Sequence, residues 1–187
     1  MTKRTQKKLI GLLVAVLVAV IGPLIAQKLP HTGIATTPGF YRVVDFADGD
    51  TISVDMNGTT EKIRFIGVDT PETHDPRKAV QCFGQAASDF TKGYIGKQPV
   101  RLEADPTNTN RDRYNRLLRY VYLQNGSLVN AEIIKQGYGF AYVSFPFTKL
   151  EEFKNYQKQA QSQKLGLWNS CQPKANTYGG YTSNDNP

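Results

Sequence analysis

The chain has 187 residues, 40% hydrophobic and 21% charged, enough apolar material for one packed domain with flanking segments. Two cysteines, with His31 and His74 as the only histidines, make a thiolate-histidine metal centre implausible. The formal charge of +7 is unevenly spread: Lys3, Arg4, Lys7 and Lys8 precede the first apolar run, and from residue 27 onward 19 basic residues face 16 acidic ones. That remaining excess is compatible with binding polyanions and proves nothing alone.

Leu9 to Ala26 is an uncharged run of 18 residues, mostly Leu, Val, Ile and Ala. It is just long enough to span a bilayer, and the cations before it stay in the cytoplasm, so whatever follows faces outward. Residues 1–26 therefore read as an N-terminal hydrophobic helix, either an uncleaved membrane anchor or a cleaved signal peptide. Gly22 and Pro23 suit the end of a signal helix, whereas Leu24 is bulky where cleavage wants a small residue. The domain is expected at the cell membrane, outside on a single-pass anchor, or secreted. Residues 27–38, with Pro30, Gly33 and Pro38, form a linker. Leu29-Pro30-His31-Thr32-Gly33 matches a sortase motif, but such a motif precedes its hydrophobic run and basic tail, and here it follows them.

The folded domain is expected over 39–171. Tyr41 to Phe46, Thr51 to Asp55 and Lys62 to Val68 read as strands, the last two joined by the hairpin pair Asn57-Gly58. Phe83, Ala86, Ala87, Phe90 and Tyr94 fall at helical spacing, and Gly96 ends that helix. Gln98 to Ala104 and Leu117 to Leu123 read as two more strands, followed by helices over Leu128–Gln136 and Lys149–Lys164. The fold class is α+β, a five-stranded OB-fold-like β-barrel with three α-helices. Residues 172–187, polar and rich in Gly and Asn, are expected to be a disordered tail.

Three clusters carry possible chemistry. Asp48-Gly49-Asp50-Thr51 taken alone is a favoured hairpin turn. In Arg64-Phe65-Ile66-Gly67-Val68-Asp69-Thr70-Pro71-Glu72, Arg64 leaves its strand opposite Ile63 and Phe65, and Pro71 stops the strand beside two carboxylates. Arg111-Asp112-Arg113-Tyr114-Asn115-Arg116 is a basic loop with one aromatic, which alone reads as a solvated charge run. Together they meet the needs of phosphodiester hydrolysis. Arginine forks suit phosphate oxygens, a carboxylate can take a proton from water, and Asp50, Asp69 and the Thr70 carbonyl offer the oxygens a hard divalent ion wants.

These three segments, in this order and at these gaps, resemble the signature segments of the thermonuclease (staphylococcal nuclease-like) family. The similarity runs from about Tyr41 to Trp168, through Gln136-Gly137 and Gly166-Leu167-Trp168. The resemblance implies a calcium-dependent nuclease with little preference between DNA and RNA, cutting to leave 3′-phosphates. It implies Glu72 as the base for the attacking water, Arg64 and Arg116 as stabilisers of the phosphoryl transition state, and calcium at Asp50, Asp69 and Thr70. Tyr114 and Tyr142 match the family's nucleotide pocket, with Arg113 beside them, and the protein is expected to act as a monomer. Two positions depart from the pattern: Asn115 replaces a glycine, and Ser144 replaces a second tyrosine. Cys82 and Cys171 are expected as a disulfide in an oxidising compartment, the alternative being two free thiols. The rival function is a non-catalytic OB-fold module that binds nucleic acid at the cell surface, but such modules typically lose the arginines or acids retained here.

Overall fold

The computed structural model describes residues 39–73 and 80–185; the hydrophobic run 9–26, the linker 27–38 and His74 lie outside them. Strands β1 (Phe40–Asp48), β2 (Thr51–Met56) and β3 (Thr59–Phe65) form an antiparallel meander. Alternation along β2 and β3 sends Ile52, Val54, Ile63 and Phe65 into the core. Between them Asn57 and Gly58 take φ of 56° and 91°, the two positive angles of a tight hairpin turn. β5 (Val100–Glu103) and β6 (Leu117–Tyr122) complete the barrel. β6 runs parallel to β3 and antiparallel to β5, and β5 closes on β1, giving the order β1–β2–β3–β6–β5. The expected five-stranded barrel is present.

One expected strand is cut short. Lys62 to Val68 reads as continuous, yet the β3 ladder stops at Phe65. Gly67 has φ of 72°, and a Cβ there would lie 2.6 Å from the Phe147 ring, so the chain turns where only glycine fits. Beyond it β4 (Val68–Asp69) pairs with β7 (Phe140–Ala141) rather than with the barrel. Past this turn Asp69 and Thr70 stay tied to the barrel, through Arg64 and Asp50 respectively.

Helices α1 (Gly84–Ile95), α2 (Val129–Lys135) and α3 (Leu150–Ser162) occupy the expected positions. The count of three becomes four among the described residues, because α4 (Leu167–Ser170) adds one turn. Leu167 is buried, and its backbone N–H donates to the Gly137 carbonyl at 2.9 Å, which holds that turn in place. In α1 the buried stripe includes Ala87, Thr91 and Ile95, with Phe90 and Tyr94 only half-buried. Thr91 is tolerated there because its hydroxyl donates to the Gly49 carbonyl at 2.7 Å, tying α1 to the β1–β2 turn.

The expected disordered tail is also corrected. β8 (Lys174–Ala175) and β9 (Tyr181–Thr182) form a short hairpin. Tyr181 packs edge-on to Trp168 at 5.0 Å between centroids, and Ser183 is buried. A polar segment is ordered here by one docked aromatic and by backbone bonds to the domain. Cys82 and Cys171 are joined in a disulfide with Cα atoms 5.9 Å apart, linking the approach to α1 with the chain after α4. Among the described residues no helix is long and apolar enough to cross a membrane.

Candidate active site

The β1–β2 turn and the end of β3 meet through Arg64. Thr51 and Arg64 are register partners, so the Asp48-Gly49-Asp50 turn lies beside the guanidinium. Arg64 Nη1 is 2.9 Å from Asp50 Oδ2 and donates to the Val68 carbonyl at 2.7 Å, while Nη2 donates to Asp69 Oδ1 at 3.1 Å. Asp50 is buried and accepts further bonds from the Thr70 N–H at 2.9 Å and the Thr51 hydroxyl at 3.0 Å. A side chain held at both ends of its fork is oriented before any ligand arrives, and little rotamer entropy remains to be lost.

The charges at this turn perturb one another. Burial, then the charge of Asp50, pushes the Asp48 carboxyl up to about 7. Burial alone would lower the Arg64 guanidinium, but Asp50, Asp69 and Asp48 raise it, so it stays cationic.

Arg116 is fixed by a separate device. Its Nε donates to Asp112 Oδ2 at 2.7 Å, and Asp112 Oδ1 accepts the backbone N–H groups of Tyr114 and Arg116 at 2.9 and 3.0 Å. The loop between them turns at Asn115, whose φ of 64° is the left-handed conformation that the usual glycine would adopt and asparagine tolerates. Arg111 braces the same loop by a two-pronged pair to Glu61 and a bond to the Asn115 carbonyl. The Arg116 fork also approaches Thr51 Oγ1, at 3.5 Å. Thr51 thus has Arg64 as its cross-strand partner and the Arg116 fork near its hydroxyl.

Arg64, Asp69, Arg113, Tyr114 and Tyr142 line one cleft of about 560 Å3. Arg113 donates to the Tyr114 hydroxyl at 2.7 Å with its guanidinium carbon 4.7 Å from that ring. Tyr114 is exposed, as a base-stacking platform requires. Sequence reasoning missed Phe145, an exposed ring that also lines the cleft with its centroid 5.9 Å from Tyr142. The departure at Ser144 drew the eye from its neighbour; an apolar ring beside Pro146 was the available signal.

Asp50, Asp69 and the Thr70 carbonyl form an all-oxygen donor set joined by Arg64 and the Asp50–Thr70 bond. Among the described residues no three His, Cys, Asp or Glu side chains gather as a metal cluster. Two carboxylates and a carbonyl fit a hard cation that keeps part of its water shell. Glu72 follows Pro71; its carboxylate accepts the Thr73 N–H at 3.0 Å, and its backbone pairs with Gln81. Cys82 and Cys171 take no part in the cleft.

Residues 62–170 match the family described as staphylococcal nuclease homologue. The chain is 44% identical over 131 residues to a thermonuclease of Staphylococcus hyicus, covering 70% of this chain and 76% of that one. It is 42% identical over 129 residues to a thermonuclease of Staphylococcus intermedius, covering 68% and 75%. Against the endonuclease YncB of Bacillus subtilis the identity is 41% over 123 residues, covering 65% and 57%. With the family match covering more than half of the chain and relatives this similar along most of their length, the chain belongs to the staphylococcal nuclease homologue family.

Proposed function

We propose that the protein is a calcium-dependent nuclease that hydrolyses phosphodiester bonds of DNA and RNA outside the cytoplasmic membrane and leaves 3′-phosphates. The observation that carries this reading is the pair of guanidinium groups, each locked by a carboxylate, with Thr51 as the cross-strand partner of one and 3.5 Å from the other. A phosphodiester gains negative charge at its non-bridging oxygens as water adds, and donors already aimed there need no reorganisation. Arg64 and Arg116 are the donors. Glu72 takes the proton from the attacking water as the new phosphorus–oxygen bond forms and the bond to the 5′-oxygen breaks, that oxygen leaving as a 5′-hydroxyl after taking a proton from solvent. Tyr114, Tyr142 and Phe145 receive the base or sugar, and Arg113 adds charge at the mouth. Asp50, Asp69 and the Thr70 carbonyl would hold the calcium, which would supply fixed positive charge to offset that of the phosphate.

The test is cleavage of single-stranded DNA and of RNA by the purified protein. Calcium should support both reactions, and a chelator should abolish them reversibly. Full activity in chelator without any divalent ion overturns the metal assignment. Tight, salt-dependent binding without cleavage favours a binding module.

A further inference from the structure

The backbone of Glu72 is held by residues that the chemistry above does not use. Gln81 Oε1 accepts the Glu72 N–H at 2.8 Å, and the Gln81 N–H donates to the Glu72 carbonyl at 2.9 Å. One residue thus holds both backbone polar groups of Glu72. Just beyond it, the start of α1 presses against the same backbone. A Cβ on Gly84 would lie 2.8 Å from the Glu72 carbonyl oxygen and 3.2 Å from that of Pro71.

Gln81 is in turn gripped from the C-terminal side. It bridges to Asp185, and its Nε2 reaches the Ser183 carbonyl at 3.5 Å. The neighbouring Cys82 donates its N–H to the Asn184 carbonyl at 2.8 Å, accepts from the Ser183 hydroxyl at 2.9 Å, and is covalently joined to Cys171. The Gln172 N–H donates to Asn184 Oδ1 at 2.9 Å, which ties the hairpin back to the bridge.

We propose that Gln81 is a positioning residue for Glu72, and that the β8–β9 segment and the Cys82–Cys171 bridge form a clasp that holds Gln81 in place. The proposal rests on reading Glu72 as the base. A carboxylate that must meet one proton of one water is sensitive to displacements of about 1 Å. Two backbone bonds and a close-packed glycine fix the Cα from which that carboxylate hangs. The clasp also couples the redox state of the two cysteines to turnover, because Cys82 follows Gln81 directly.

The test compares the full-length protein with Gln81→Met, Gln81→Glu and Glu72→Gln. It reads kcat and KM on single-stranded DNA with calcium, together with amide hydrogen exchange at Glu72. Methionine fills the space without an acceptor, and glutamate restores an oxygen at the same reach. Gln81→Met should lower kcat about tenfold at unchanged KM and accelerate exchange at Glu72 by about tenfold, with Gln81→Glu recovering most of both. Reducing the bridge in the native chain, well below its unfolding temperature, should lower kcat in the same way. Native kcat in Gln81→Met overturns the proposal, as does native kcat after reduction. A loss that Gln81→Glu does not recover, and that follows the fall in Tm, assigns Gln81 a purely structural role and also overturns it. Glu72→Gln cleaving at the native rate removes the base reading and the proposal with it; inactive Glu72→Gln beside fully active Gln81→Met removes the proposal alone.

Discussion

Single side chains in this protein are set by the number of partners they hold. Asp105 is the clearest case outside the cleft: it is buried and accepts from Thr107 N and Oγ1, Tyr120 Oη, and Thr148 N and Oγ1. Burial alone would raise its pKa, but those hydrogen bonds hold the carboxyl well below the usual range. Its folded pKa is depressed, so its contribution to stability is complete above the unfolded value of about 4 and fades as pH falls toward the folded one. Asp105→Asn should therefore cost about 2 kcal/mol at pH 7, with a shrinking penalty in urea melts as the pH drops below about 4. A penalty that is the same at pH 7 and pH 3 contradicts the account. Phe145 makes the complementary point at the surface. If its ring stacks on a base, Phe145→Ala should weaken binding of single-stranded DNA by about 1 to 3 kcal/mol, measured by fluorescence titration, with little change in Tm. Unchanged affinity would remove Phe145 from the substrate surface. Neither residue stood out in the sequence, because an Asp-Pro pair and a phenylalanine between serine and proline both pass for ordinary loop.

At the scale of elements, periodicity made the barrel strands and the three longer helices legible, since a core-facing strand or helix must repeat its apolar residues. Two features escaped it. The break after Phe65 depends on Gly67 fitting under Phe147, a contact 80 residues away that no local pattern carries. The β8–β9 hairpin is polar, and its order comes from Tyr181 on Trp168 and from bonds to Cys82. The bridge beside it closes a separation of 89 residues. In the chain-entropy view such a loop stabilises by about 4 kcal/mol, so Cys82→Ser with Cys171→Ser should lose roughly that amount in denaturant melts. A double variant as stable as the native protein would show that the hairpin contacts alone hold this end.

For the whole molecule, the candidate site residues were more legible than their geometry. Asp50, Arg64, Asp69, Glu72 and Arg116 announce themselves by type and spacing, while the way Asp112 and Asp50 lock the two arginines appears only when β1, β2, β3 and the loop before β6 come together. Because the charge excess beyond the N-terminal segment is small, binding should depend on these few arginines rather than on a broad basic face. About three phosphate contacts to a single strand imply a loss of roughly twentyfold in affinity between 50 and 200 mM salt. A much steeper salt dependence would point to a larger basic surface. If residues 9–26 are an uncleaved anchor, the full-length chain should fractionate with membranes and be open to protease only from outside; a new N-terminus near Gln27 in the medium would identify a cleaved signal. The proposed reaction makes Glu72 the base and the guanidinium groups of Arg64 and Arg116 the stabilising donors. Its most direct test is turnover and affinity of Glu72→Gln on the same DNA under calcium. Turnover should fall by about a hundredfold or more with binding nearly intact, since the neutral side chain loses the proton acceptor and also a repulsion toward phosphate. A folded Glu72→Gln protein that cleaves at the native rate would contradict it.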